Sequence, residues 1–357
     1  VTLDPVELLC DLVRVPSPSG DEGAAAALLA ERLFAAGLTP HVVGRNVWCA
    51  VGPDHGPTIL LCSHLDTVPI GEGWTRPPLE AKREGERIYG RGSNDAKGCL
   101  AAMTAALVRL GAAGTRARVV LAAVCEEETG GLAGLPALLP HLGTLDAAVI
   151  GEPTGLVPVC AQKGLLALDA TARGRQAHAA RPEEGDNAIA AAARAIAALD
   201  AFEFEARSEA LGPPTAEVTM IKAGERRNVI PASCWFALDV RTTPEYDTPE
   251  LVQLIGRVLG PEVLLSVKGA GARAQATPVD HPVIRAAVAA TGAAAVGSPT
   301  VSDWARLDGV PAVKLGPGES PRSHTPDEYV TVVELERGAD VYARLVEGWL
   351  VAREARG

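Results

Sequence analysis

Thr58-Ile59-Leu60-Leu61-Cys62-Ser63-His64-Leu65-Asp66-Thr67-Val68-Pro69 decides the fold of this chain. Residues 58–62 form an apolar run without alternation, which reads as a strand buried on both faces in an α/β protein. Such a strand ends here on His64, with Asp66 two residues on. That places two polar side chains at the carboxyl end of a sheet, where open α/β folds bind ligands. Histidine is the commonest metal ligand, and a nearby aspartate can hold its second ring nitrogen and fix the tautomer.

The same design recurs outward from this stretch. Residues 118–125 read as a buried strand running into Glu126-Glu127-Glu128-Thr129-Gly130-Gly131. Residues 147–151 form a shorter one that ends at Glu152-Pro153-Thr154. Gly90-Arg91-Gly92-Ser93-Asn94-Asp95 precedes a small-residue helix over 97–110, and a strand over 312–315 leads into Gly316-Pro317-Gly318 and on to His324. All these acids and histidines fall at predicted strand ends. In a parallel sheet those ends share one edge, so the groups can converge.

Helical patterns over 4–14, 21–36, 97–110, 132–139 and 332–352 alternate with these strands and with one over 47–51. The alternation predicts a largely parallel sheet covered by helices on both faces. The character changes near residue 159. Residues 164–173 alternate Leu166, Leu168 and Ala170 against Ala167, Asp169 and Thr171, and 216–221 and 234–241 look similar. With helices over 187–199 and 248–259, this is the pattern of a small α+β domain with an antiparallel sheet. The αβ pattern resumes at His281. The expected organisation is therefore an α/β metal-binding catalytic domain, 1–158 plus 274–357, interrupted by an inserted α+β domain, 159–273.

Composition narrows the function. The net charge of −11 lacks the basic stripe of a nucleic-acid binder. Seven cysteines, an odd number without a CxxC pair, lie mostly in apolar runs and read as small buried residues of a reducing compartment. Residues 1–5 show no secretory signal, and no uncharged apolar run approaches the ~20 residues of a membrane span, so a cytoplasmic protein without a membrane partner is expected.

The converging set holds two histidines and several carboxylates but no thiolate, which suits Zn²⁺, Co²⁺ or Mn²⁺ at a hydrolytic site. Crowded carboxylates repel strongly unless a cation intervenes, which points to two metals. Two metals ~3.5–4 Å apart need a bridging carboxylate. One further carboxylate must stay free as general base. Taken singly each signal is weak: Asp95 fits a helix N-cap, Glu152 a turn, the glutamate run a solvated surface, and His324-Thr325-Pro326-Asp327 the start of the last helix. Their ordered conjunction carries the reading.

Ser63–Pro69, Gly90 to Gly98, Glu126 to Gly131, Gly151-Glu152-Pro153-Thr154 and Gly316 to Glu328 together resemble the dinuclear zinc amidohydrolase and exopeptidase family of acetylornithine deacetylase and succinyl-diaminopimelate desuccinylase. The resemblance implies two Zn²⁺ per chain, with Co²⁺ able to substitute. It implies His64 and Glu152 on one metal, Glu128 and His324 on the other, and Asp95 as the bridge, with a cis Asp95–Ala96 peptide. Asp66 would orient His64. Registering the glutamates on Thr129-Gly130 makes Glu127 the base and Glu128 the ligand; the alternative register makes Glu126 the base and Glu127 the ligand. Ala96 departs from the methionine or aspartate common in the family and leaves the bridge untouched.

In the inserted domain, Gln176-Ala177-His178-Ala179-Ala180-Arg181-Pro182 resembles the family's lid segment. The resemblance implies that His178 stabilises the oxyanion across a homodimer interface. Asn228 and Arg241, with Gly316 and Gly318, would bind substrate, a guanidinium being well shaped for a carboxylate. Pro158-Val159, Gln162-Lys163-Gly164 and Gly297-Ser298-Pro299-Thr300 look more like the deacetylases. The expected substrate is thus a small N-acyl amino acid, first N-acetylornithine or N-acetylcitrulline in arginine biosynthesis. The alternatives are succinyl-diaminopimelate desuccinylation in lysine biosynthesis and a dipeptidase or carboxypeptidase of the same fold. A non-enzymatic relative would be expected to lose ligands, yet every ligand position is filled.

Overall fold

The computed structural model describes residues 2–355. The outermost ends of the expected catalytic segments, residues 1 and 356–357, lie outside the described residues. The chain forms two compact units: one runs through Cys160 and takes up Ala276–Val296 and the chain from Ser302 on; the other holds Ala161–Gln275 and Gly297–Val301.

The first unit is organised by the strand Thr58–His64, which is buried at all seven positions. It lies parallel to Arg118–Val124 on one side and to Ala147–Ile150 on the other, and Ala312–Lys314 continues the parallel core beyond Ala147–Ile150. Outer strands Asn46–Val51 and His41–Val43 add antiparallel. They join through the two-residue turn Gly44-Arg45, where Gly44 (φ 60°) supplies the left-handed backbone such a turn needs. Successive strand residues face opposite sides. Ile59, Leu61, Val119 and Leu121 pack against Leu9, Leu29, Leu107 and Trp349 of the helices on one face. Leu60, Cys62, Val120 and Ala122 pack against Leu135, Leu138 and Trp304 on the other. The mostly parallel, doubly covered sheet expected from the sequence is the sheet observed.

A small three-stranded sheet, absent from the sequence reading, has a large effect on the site. Tyr329–Thr331 pairs antiparallel with Arg87–Tyr89, which in turn pairs with Lys82–Glu84. The pairing brings Glu328 beside Gly90, so the chain just before Asp95 meets the chain just after His324. A second difference is the helix expected over 132–139, which forms instead at Leu135–Leu142. Gly130 (φ 63°) and the turns through Gly134 delay its start, and Pro136 then sits in its first turn.

The second unit carries a four-stranded antiparallel sheet in the order Thr215–Ala223, Ser233–Thr242, Gly164–Arg173, Val263–Ala272. Gly164–Arg173 buries every second residue nearly to its end, as its alternation predicts. Leu168, Phe236 and Leu238 pack with Leu251 and Ile255 of the helix Thr248–Leu259. Val263–Ala272 lacks a clear strand pattern in the sequence because Gly269 and Gly271 break its alternation; its pairing shifts register between Lys268 and Ala272. Among the described residues no helix is long and apolar enough to cross a membrane.

Lys97, in the first turn of helix Lys97–Ala113, is only 1% exposed. Its Nζ donates to the carbonyls of Leu12 (2.9 Å) and Val15 (3.1 Å) at the end of helix Pro5–Arg14, where the Leu12 carbonyl otherwise meets only the Val15 N–H at 3.3 Å. Burial lowers its pKa to about 8. The native state therefore sheds this proton before the unfolded chain, whose lysine titrates near ~10.4. Between these values the unfolded state binds more protons, so this group adds stability as pH rises. The stability difference between wild type and Lys97→Met, measured by urea unfolding, is expected to move toward wild type by about 3 kcal/mol from pH 7.5 to pH 10.5. A difference that stays constant would contradict the assignment.

Candidate metal centre

Three of the sequence-predicted segments reach the site directly from adjacent parallel strands: His64 closes Thr58–His64, Glu126-Glu127-Glu128 follows Arg118–Val124, and Glu152 follows Ala147–Ile150. Asp95 and His324 arrive on loops rather than strand ends. His324 has left-handed backbone (φ 62°) beyond a short 3-10 turn, Ser320–Arg322. Asp95 does not cap the following helix, whose N-cap is Ala96, and the Asp95–Ala96 peptide is cis.

His64 is 1% exposed, and its Nδ1 lies 2.9 Å from the main-chain oxygen of Asp66. That acceptor requires a proton on Nδ1 and turns Nε2 toward Asp95 Oδ1, 3.3 Å away. His324 Nε2 lies 3.5 Å from Asp95 Oδ2 and 2.9 Å from Glu128 Oε2. One carboxylate thus stands between two imidazoles, one oxygen toward each. Donor atoms of His64, Asp95 and Glu128 lie within 4.8 Å of one another, as do those of His64, Glu127 and Glu152.

Asp66 reaches His64 mainly through its backbone. Its carboxylate stands 3.5 Å from Nδ1 and is engaged elsewhere. Oδ1 accepts the Glu127 N–H (3.0 Å), and Oδ2 accepts the Glu128 N–H (3.1 Å) and the Ser19 hydroxyl (2.7 Å). Asp66 therefore holds the glutamate turn as well as the histidine. The turn has a second anchor that sequence reasoning missed. Glu22, fully buried, accepts the Glu126 N–H (3.0 Å) and the Arg45 Nε–H (2.6 Å), and Arg45 pairs in turn with the Glu126 carboxylate. Glu126 is drawn toward Arg45, whereas Glu127 and Glu128 belong to the two donor groups. Nothing local marks Arg45 or Glu22; a hairpin turn and a helix start carry them.

The electrostatics are those of a site built for added positive charge. Burial, then the neighbouring Glu152, pushes the Glu127 carboxyl well above its usual range. Burial, then Asp95, raises Glu152 to about 8. Burial disfavours charge on His64, but hydrogen bonds to Asp66 and Asp95 outweigh it and raise its pKa. Burial opposes ionisation of Asp66 too, yet His64, Ser19 and the Glu128 amide bring its pKa down to about 2. The Glu128 hydrogen bond raises His324. Oxygen and imidazole donors about 3 Å apart, with no thiolate among them, fit divalent ions held at ~2.0–2.2 Å.

The expected substrate-binding residues lie in two places. Gly316 and Gly318 belong to the first unit, in packed loops: a Cβ on Gly316 would strike Cys99, the Glu152 carbonyl and Tyr342, and one on Gly318 would strike Asn94. His178, Asn228 and Arg241 belong to the second unit. His178 is exposed and its Nδ1 accepts the Ala180 N–H (3.0 Å), so Nε2 carries the hydrogen. Asn228 is exposed, and its main-chain oxygen accepts the Ala179 N–H. Arg241 is half-buried and binds both oxygens of Asp239 through Nε and Nη2.

An α/β sheet whose strand ends, with two loops beside them, gather two imidazoles and several carboxylates is the architecture of a metal-dependent hydrolase. A model of peptidase family M20/M25/M40 matches residues 60–348, and the chain belongs to that family. It is 28% identical to an acetylornithine deacetylase of Proteus mirabilis, covering 98% of both chains. It is 30% identical to a succinyl-diaminopimelate desuccinylase of Cereibacter sphaeroides, covering 97% of this chain and 99% of that one. Among solved structures, a tripeptidase from Staphylococcus aureus superposes with a TM-score of 0.78 at 22% identity over 98% of each chain. A dinuclear metal-binding M20 peptidase from Bacillus subtilis does so with a TM-score of 0.75 at 18% identity, again over 98% of each chain. These two likenesses establish the fold.

Asp66→Asn removes the charge that holds the Glu127 and Glu128 amides. It is expected to weaken binding of Zn²⁺ to chelator-treated protein by ~10–100-fold in a calorimetric titration. Unchanged affinity would show that the turn is held without it.

Proposed function

We propose that this M20 hydrolase cleaves the amide bond of N-acetylornithine or a close N-acyl amino acid, using two Zn²⁺. The observation that carries the hydrolytic reading is the Asp95 carboxylate set between His64 and His324, with Glu127 beside His64 and Glu152. In this reading His64 and Glu152 hold one ion, Glu128 and His324 the other, and Asp95 both. Bound zinc supplies polarisation of the scissile carbonyl and acidification of water. Glu127 takes the proton of the attacking water on its carboxylate and passes it to the leaving nitrogen. The engagement of Glu126 by Arg45 supports Glu127 over Glu126 in this role.

The second unit is read as a lid and dimerisation domain, 159–273 by sequence. The Nε2–H of His178 is free to meet an oxyanion, and Nη1 of Arg241 is left over by Asp239 to meet a substrate carboxylate. Asn228 completes that set. The strand Thr215–Ala223 is a sheet edge that exposes Met220 (60%) and Ile221 (58%), with Ile189 lining the same cavity as Ile221. An open, apolar edge supports a homodimer through this domain. Sedimentation of Ile221→Lys is expected to give monomer where wild type gives dimer; a monomeric wild type would overturn this part. Seven free cysteines support a cytoplasmic location.

Desuccinylation of succinyl-diaminopimelate is the second reading, favoured by the 30% identity to such an enzyme. Amine release from a panel of acyl amino acids with added Zn²⁺ or Co²⁺ separates the two. N-acetylornithine is expected to show the highest kcat/KM, and a ten-fold preference for succinyl-diaminopimelate would reverse the assignment. On the preferred substrate Glu127→Gln is expected to lower kcat by ~10²–10⁴-fold, with Glu126→Gln within a few-fold of wild type. Near-normal turnover by Glu127→Gln would rule it out as the base.

A further inference from the structure

We infer that Glu328 is the positioning residue for Asp95, and that its ionised carboxylate sets the geometry of the metal centre without touching it. Glu328 is more than 230 residues from Asp95 in sequence, and its side chain is fully buried. Oε1 accepts the main-chain N–H of Asn94 (3.0 Å) and of Asp95 itself (2.9 Å). Oε2 accepts the N–H of Gly92 (3.2 Å) and the Arg91 Nη1–H (2.7 Å). The main-chain oxygen of Glu328 accepts the Gly90 N–H (3.0 Å) and the Ser93 hydroxyl (3.2 Å). The loop 90–95, which has no helical or strand ladder of its own, is folded around this one residue.

The same contacts tie together the loops that bring Asp95 and His324. Asn94 donates from Nδ2 to the Glu319 carbonyl (3.1 Å) and the Ser323 hydroxyl (3.1 Å), and its Oδ1 accepts the Glu319 N–H (2.9 Å). Glu328 closes the far side of that loop, and the strand pairing of Tyr329–Thr331 with Arg87–Tyr89 fixes its register. Each carboxylate oxygen of Glu328 receives two donors, an arrangement only an acceptor-only group satisfies. An amide in its place sets an NH₂ against two of those donors. The bond to the Asp95 amide lies at the root of the bridging side chain, so strain there is delivered to the bridge. A network that orients metal ligands typically matters ~10–100-fold in metal affinity.

This inference rests on the reading of Asp95 as a metal ligand, and the experiment separates the two. Chelator-treated full-length protein is titrated with Co²⁺, following both affinity and the visible absorption spectrum. Glu328→Gln is expected to bind Co²⁺ at least ten-fold more weakly, with an altered spectrum and a native far-UV dichroism spectrum. Glu328→Asp, which keeps the charge, is expected to recover part of both. Wild-type affinity and spectrum in Glu328→Gln, even with a lowered melting temperature, would reduce Glu328 to a packing residue and overturn the inference. Should Glu328→Gln fail to fold, Glu328→Asp carries the same test: wild-type affinity and spectrum there overturn it equally. Asp95→Asn serves as the control for the underlying reading: Co²⁺ binding undiminished in that variant would remove Asp95 as a ligand whatever Glu328 does.

Discussion

Repulsion among Asp95, Glu127, Glu128 and Glu152, gathered around two imidazoles within a few ångströms, is the constraint that the surrounding structure answers. A parallel sheet can deliver acids to one edge, but it cannot hold them there against their own charge. The turns that carry these acids are held by other carboxylates placed behind them. Asp66 and Glu22 accept amides of the Glu126–Glu128 turn, and Glu328 accepts amides of the Asp95 loop. Carboxylates that accept several N–H bonds are strong anchors, because charge-assisted hydrogen bonds are shorter and stronger than neutral ones. The guanidiniums of Arg45 and Arg91 offset the charge of the outer pair.

This arrangement divides the labour between fold and site. The parallel strands fix the coarse positions of His64, Glu152 and the glutamate turn, since their ends are in register across adjacent strands. The loops that supply Asp95 and His324 have no such scaffold and depend on each other through Asn94 and Glu328. A centre assembled from both kinds of element has a rigid half and a stitched half.

The rigid half was legible in the sequence. An unbroken apolar run ending in His64 specifies a doubly buried strand, and the clean alternation of 164–173 specifies a half-buried one; both are local patterns that packing reinforces. The stitched half was not legible in this way. The pairs Glu328–Arg91 and Glu22–Arg45 join residues far apart in sequence, and neither leaves a periodic trace. Three-residue strands such as Tyr329–Thr331 are too short to show alternation, and Gly269 and Gly271 erased it in Val263–Ala272. The sequence sets Asp66 beside His64, and the structure has its main-chain oxygen 2.9 Å and its carboxylate 3.5 Å from Nδ1; the bonds from that carboxylate to the glutamate turn leave no local trace in the sequence.

The account stands or falls on two ions sharing Asp95. Anomalous diffraction at the zinc edge, from crystals grown with Zn²⁺, tests it most directly. Two peaks ~3.5–4 Å apart are expected, one beside His64 and Glu152 and the other beside Glu128 and His324, with Asp95 between them. A single peak, or an ion ligated by Glu127 in place of Asp95, would contradict it.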